Sequence, residues 1–328
     1  MCPLFGFKQY LCLNTFVAII MKPDKIKIVL FLLPETNLFD LGSITQALTE
    51  AKDLNLNVEL QICSENNILQ SSIGVSLQNI KRYDRPKLMA ADYLFILSSN
   101  INYILSDKLN PSSKLSNWIR QLYLNGTTVI SVCNAAFFIG KIGLLDGIKC
   151  TTHWKRTKQL QESFPLSQVQ ENILFIEDKN IITSAGSASA IDLALYVIAK
   201  IKDDLFSHKI ARELVVFNRR TGNQPQESDY LKYRNHVHTG IHKAQDFIDS
   251  NIHRKISLYH LTDIANMSER NFCRVFKREV SLTVFEYIHK VKKEKISALI
   301  QNTDLSKHQI ANKVGLESER QLRRILNK

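Results

Sequence analysis

Three short, almost uninterrupted apolar runs constrain the fold of this chain most: residues 25–33 (KIKIVLFLL), 93–97 (YLFIL) and 128–133 (TVISVC). A strand with one wet face alternates polar and apolar side chains. A run without alternation is buried on both faces, as in a central strand of a parallel sheet. Helical patterns separate and follow the runs, at residues 39–52, 112–124, 135–142 and 192–201. This alternation predicts an α/β fold, a doubly wound flavodoxin-like sandwich, over residues 24–200.

The rest of the chain has a different character. Residues 219–240 are polar with few aliphatics, so 201–240 reads as a linker, and 241–328 reads as all-helical. The net charge is +12, and it is uneven: residues 201–328 hold 24 basic and 15 acidic side chains, against 19 and 16 in residues 1–200. That asymmetry points to an anionic partner for the C-terminal part. No apolar run reaches the roughly 18 residues of a membrane span. The six cysteines include no Cys-x-x-Cys pair and no Cys/His spacing for zinc, so neither metal nor cofactor is expected. Residues 1–23 read as a disordered leader or a start codon placed too early, since no small-x-small cleavage site follows the apolar stretch at 11–21.

In the helical part, Leu258, Leu261, Ile264 and Ala265 form one apolar face. A break at 266–267 precedes Ser268, a good N-cap. The next helix turns Phe272, Val275 and Phe276 inward and leaves Arg270, Asn271, Arg274, Lys277 and Arg278 outside. Two short helices with a tight joint, the second basic on its outer side, are the pattern of a helix-turn-helix. The pattern recurs. Residues 310–312 (IAN) repeat 264–266, and 318–320 (SER) repeat 268–270. Arg324 and Leu326 follow Arg274 and Phe276 by 50 residues. Ser318 and Gln321 suggest a capping box. A helix over 284–301 joins the copies.

These stretches (LTDIANMSERNFCRVFKREV, FEYIHKVKKEKISALIQNTDLSKHQIANKVGL and SERQLRRIL) resemble the AraC/XylS-type regulators, whose DNA-binding domain has two helix-turn-helix units joined by a long helix. The resemblance implies DNA-facing roles for Ser268, Glu269, Arg270, Asn271 and Arg274, and for Ser318, Glu319, Arg320, Gln321 and Arg323. There are departures. Residues 281–284 read Ser-Leu-Thr-Val where the family has Gly-x-(Ser/Thr)-Pro, and Lys292-Lys293 replaces Arg-Leu. The family's further Pro-x-x-Tyr-Arg segment does not follow, so the second unit is expected to be the weaker reader.

Cys133 ends the third apolar run and precedes a helix. A sharp strand-to-helix turn there would lift it to the sheet's carboxyl edge, and the helix amides would favour a thiolate. His153 and Asp40 are the partners such a nucleophile needs. SVCNAAFFIGKIGLLDGIKCTTHW and ITSAGSASAIDLALYVI resemble the class I glutamine-amidotransferase-like (PfpI-type) domain, which forms the N-terminal half of the GlxA group of AraC-type regulators. The resemblance implies a cytoplasmic transcriptional regulator, a homodimer, that senses a small polar metabolite in a pocket lined by Asp40, Cys133, Asn134 and His153. A double-stranded operator and RNA polymerase would be its partners. Cys133-Asn134-Ala135 replaces the usual Cys-Thr-Gly, so Cys133, His153 and Asp40 are expected to be vestigial and the protein not an enzyme. The alternative is a PfpI-type hydrolase or hydratase using Cys133.

Overall fold

The three apolar runs become neighbouring parallel strands. The computed structural model describes residues 25–216, 220–226, 232–303 and 305–326. The expected leader therefore lies outside the described residues, as do Cys2 and Cys12. Two compact units divide between Gln224 and Pro225.

The first unit begins with β1 (Ile26–Phe31), α1 (Leu38–Asp53), β2 (Val58–Ser64), the hairpin β3 (Leu69–Gln70) and β4 (Ser76–Leu77), and β5 (Lys81–Arg82). It continues through β6 (Tyr93–Ile96), α2 (Ile101–Leu105), α3 (Ser113–Leu124), β7 (Thr128–Ser131) and α4 (Ala135–Lys141). Then come β8 (Lys149–Cys150), α5 (Thr157–Ser163), β9 (Gln168–Val169), β10 (Phe175–Asp178), β11 (Ile181–Ser184), α6 (Ser189–Ile201) and α7 (Asp204–Glu213). The main sheet has the order β10-β11-β7-β6-β1-β2-β5. Its pairs are parallel except β10 with β11.

Both faces are covered, which explains the missing alternation. Ile28, Leu30, Phe95, Ile130 and Ile182 pack with Ile44 and Leu48 of α1 and Leu193 and Val197 of α6. Val29, Phe31, Leu94, Ile96 and Val129 pack with Leu115 and Ile119 of α3 and Phe138 of α4. The chain leaves β1 and crosses to β2 on one side, then returns to β6 on the other, so the crevice at the carboxyl ends of β1 and β6 is the switch point where open α/β sheets bind ligands.

Residues 201–240 are not the continuous linker the composition suggested. Asp203 caps α7 by accepting from the Phe206 amide at 2.7 Å, and Ile210 and Ala211 join the core formed by α1 and α6. Beyond α7, Arg220 donates to the buried Asp192 carboxylate of α6, and Gly222 accepts from the amides of Leu174 and Phe175. The chain is thus tied to the first unit as far as Gly222.

The second unit holds α8 (Thr239–Ser250), α9 (Leu258–Ala265), α10 (Glu269–Val280), α11 (Val284–Asn302), α12 (Lys307–Lys313) and α13 (Glu319–Leu326). Thr283 with Glu286 and Ser306 with Gln309 make reciprocal capping boxes at α11 and α12. The pair α9–α10 shares a core with α8, built on Ile241, Ile248, Leu261, Phe272, Phe276 and Tyr287. The pair α12–α13 has its own, built on Ile310, Val314, Leu322 and Ile325 with Ile296 of α11.

Candidate functional site

At the switch point the ends of five segments meet around Cys133. Asp40 lies in the first turn of α1 and is fully buried. It is not the helix cap. Asn37 takes that role, accepting from the Phe39 amide at 2.9 Å, which leaves the Asp40 carboxylate for tertiary contacts. Ser98, past β6, donates its hydroxyl to Asp40 Oδ2. Oδ1 makes no hydrogen bond of ordinary geometry among the described residues, although Ser187 lies close enough to favour the charged carboxylate. Asn37 donates from Nδ2 to Ser187 Oγ at 3.1 Å and so ties α1 to the turn before α6.

Cys133 sits in the turn between β7 and α4 with φ +54°, a left-handed backbone that a side chain with a Cβ rarely adopts. The sharp turn expected there is present. The activated thiolate is not. The side chain is 9 % exposed, and burial, with the Asp40 charge second, pushes the thiol up to about 12. The Asn134 backbone amide pulls the other way, but less than burial and the Asp40 charge push. At pH 8 the thiol therefore stays protonated. Iodoacetamide at pH 8 should label the exposed Cys273 in the folded protein and leave Cys133 unlabelled until urea is added. Mass spectrometry reads both. Rapid native labelling of Cys133 would contradict its protected state.

The other expected residues take different places. Thr152 donates to the Cys133 carbonyl at 2.9 Å, which brings the segment carrying His153 to the elbow. His153 Nδ1 accepts from the Lys155 amide at 3.3 Å, its ring stacks on Trp154, and its Cδ2 edge lies against Gly186 beside Ser187. Asn134 faces the chain after β6: Nδ2 donates to the Ser99 carbonyl at 2.8 Å, and Oδ1 accepts from the Ser99 amide at 3.4 Å. Its amide clamps backbone, so it is a brace for the site's floor. A cavity of about 50 Å³ opens elsewhere, at the ends of β1 and β2, lined by Ser64, Glu65, Tyr103 and Lys108 among others.

Asp40 also sets a pH dependence. Burial raises its carboxyl above the usual range, against the pull of Ser98 and Ser187. A raised folded-state pKa means that ionisation at neutral pH disfavours the fold, and the penalty vanishes below the unfolded value near 3.8. Asp40→Asn should therefore raise the melting temperature at pH 7 and lose that advantage as pH falls towards 4. A lower melting temperature at pH 7 would show that the charge is compensated.

In the second unit the two helix pairs are built alike. Asn266 (φ +53°) and Gly315 (φ +64°) each place a left-handed residue after the first helix. The next amide then reaches back five residues: Met267 to the Thr262 carbonyl at 3.0 Å, Leu316 to Ala311 at 2.9 Å. Buried residues follow the same register, Leu261 with Ile310 and Ala265 with Val314. This equivalence corrects the alignment of the two IAN stretches by one helical turn. Asn266 ends its helix, whereas Asn312 lies within α12 and Gly315 makes the turn. The expected capping box at Ser318 is half formed: Gln321 donates its amide to Ser318 Oγ at 3.4 Å, but its side chain accepts from Glu317.

The outer faces of α10 and α13 are basic. Arg270 and Arg274 are exposed, and Arg274 donates to Asn271 Oδ1 at 2.8 Å. Ser268 and Glu269 lie exposed at the start of α10. On α13, Arg320 and Gln321 are exposed, and Ser318 and Glu319 are half-buried. Arg323 reaches Glu319 at 3.8 Å. Arg323 stands at the position of Cys273, while the register partner of Arg274 is Arg324, also exposed. The 50-residue spacing was its signal.

A model of the DJ-1/PfpI family matches residues 26–200, and a helix-turn-helix domain model matches residues 261–328. The chain is 26 % identical over 196 residues to the HTH-type transcriptional regulator GbdR of Pseudomonas aeruginosa, covering 59 % of this chain and 52 % of GbdR. It is 27 % identical over 205 residues to the HTH-type transcriptional regulator CdhR of the same species, covering 62 % and 60 %. The matches thus span between half and three fifths of these relatives' length. Among solved structures, a putative transcriptional regulator protein from Vibrio parahaemolyticus has a TM-score of 0.51 at 20 % identity, covering 58 % of this chain and 99 % of that one. A THiJ/PfpI family protein from Pseudomonas syringae has a TM-score of 0.51 at 17 % identity, covering 64 % and 86 %. These two support the fold of the first unit. No helix among the described residues is long and apolar enough to cross a membrane.

Proposed function

Since the chain belongs to the DJ-1/PfpI family and carries a helix-turn-helix domain after that unit, we propose that it is a DNA-binding transcriptional regulator of the AraC type. The first unit, as far as Gln224, senses a small polar metabolite. The second, from Pro225, binds a double-stranded operator through α10 and α13. The observation that carries this reading is the duplicated turn, with a left-handed residue, the same backbone bond and a basic outer face in both copies. The relatives GbdR and CdhR, both HTH-type transcriptional regulators, point the same way. A role at an operator implies a cytoplasmic location. A paired operator would take two copies of the chain, with RNA polymerase as the downstream partner.

The sensing role rests on Asp40. A buried carboxylate whose Oδ1 makes no hydrogen bond of ordinary geometry among the described residues gains from a ligand that donates to it. A small cation or amine does so best, with Cys133 and His153 as neighbouring walls. Catalysis by Cys133 is disfavoured by its raised thiol. The test is to sequence genomic fragments bound by the full chain, with and without a panel of amino acids and quaternary amines. Enrichment of one site, shifted by an effector and unshifted in Asp40→Ala, is the expected result. No enriched sequence, together with turnover that disappears in Cys133→Ser, would replace this reading with the enzymatic one.

A further inference from the structure

The two helix pairs of the second unit have separate cores, and α11 runs through both: Val284, Tyr287 and Val291 belong to the first and Ile296 to the second. One shared helix fixes a distance but leaves an angle to be set. With 19 residues α11 is about 28 Å long, near the roughly 34 Å of one DNA turn.

Two further contacts close the angle. Both converge on Gly315, the left-handed residue between α12 and α13. Lys292, half-buried on α11, donates from Nζ to the Gly315 carbonyl at 3.2 Å. On its other side Gly315 lies against the connection between α8 and α9. A Cβ at 315 would come within 2.7 Å of the His253 carbonyl carbon and oxygen and 3.0 Å of the Arg254 amide. The turn of the second pair therefore rests directly on the backbone of the first, and the Lys292 ammonium holds it there. A charge-assisted bond is directional and stronger than a neutral one, so it suits a joint that must keep one angle.

We propose that Lys292 is a positioning residue that sets the angle between α10 and α13, and with it the base-pair spacing at which the protein reads DNA. This rests on the DNA-binding role proposed above. Lys292 faces the turn between α12 and α13. It acts through Gly315.

The full-length chain is first used to select its preferred sequence from a random double-stranded DNA pool. Binding is then titrated by fluorescence anisotropy on that sequence and on versions with one base pair inserted or deleted between the two contacted segments. The wild type should lose about tenfold or more on either altered spacing. Lys292→Met should bind the selected sequence about tenfold less tightly. Its penalty for altered spacing should also shrink to within about threefold, because a loosened joint tolerates both. Lys292→Arg, which keeps a charged donor, should restore the wild-type penalty. Lys292→Gln serves in the same titration if circular dichroism shows the Met variant unfolded. A folded variant that keeps the full spacing penalty overturns the proposal, whether or not its overall affinity falls. If the wild type selects no sequence at all, the DNA-binding role falls first, a result distinct from a retained penalty.

Discussion

Phe276→Ala is expected to remove about 3–5 kcal/mol of stability from the second unit. Phe276 is fully buried on α10, its ring centroid 5.6 Å from Phe272 and 5.6 Å from Tyr287 of α11. Truncation leaves a cavity between the rings of Phe272 and Tyr287, which stand on different helices, so collapse is hindered. Small domains have only about 5–15 kcal/mol in hand. The loss is therefore large enough to melt α9–α10 near physiological temperature. The core of the first unit is built from other residues, so calorimetry of the full chain should show the second unit's transition falling while the other stays. A shift of both transitions together, or a loss under about 1 kcal/mol, would contradict the separate-core account.

The second large effect is on DNA. Arg274→Ala should cost about 1–3 kcal/mol on the selected operator, the range for an arginine that reads a base edge. The Asn271 side chain already orients the guanidinium, so little rotamer freedom remains to be lost on binding. Arg324→Ala should cost a similar amount, since it occupies the same place in the second register. Arg323→Ala should cost on the order of 1 kcal/mol or less, because its guanidinium lies towards Glu319. Titrations at several salt concentrations separate the cases. A phosphate contact lowers the salt slope by about one unit without relaxing sequence preference, and a base reader relaxes preference. A larger loss for Arg323 than for Arg324 would overturn the register.

What the sequence showed depended on how local the cause was. The sheet was legible because burial on both faces leaves a run such as KIKIVLFLL without alternation. The basic outer face of α10 was legible from helical spacing. Helix α7 was not: in DLFSHKIARE only Leu205, Phe206, Ile210 and Ala211 are apolar, and its tie to α1 and α6 is long-range. The repeat was found, but three identical letters misled its alignment. Gly315 makes the second turn because glycine adopts positive φ without strain, a signal that residue identity at 310–312 hid. The turn at Cys133 follows from a strand meeting a helix, whereas the raised thiol does not, since a strand end does not say how deeply it will be covered. The contacts of Asp40 with Ser98 and of Thr152 with the Cys133 carbonyl join segments far apart in the chain and leave no local pattern.

The two turns differ in one respect. From the left-handed residue to the start of the second helix there are two steps in the first pair (Asn266 to Ser268) and three in the second (Gly315 to Ser318). One added residue redirects the helix that follows, and the outward side chains differ too, Asn271 and Cys273 against Gln321 and Arg323. The segments of DNA met by one chain consequently need not repeat each other in sequence. The binding signature of a single chain should be an asymmetric, composite word, and any palindrome in a promoter would reflect two chains. A genome search for direct repeats or short inverted repeats would pass over such a word.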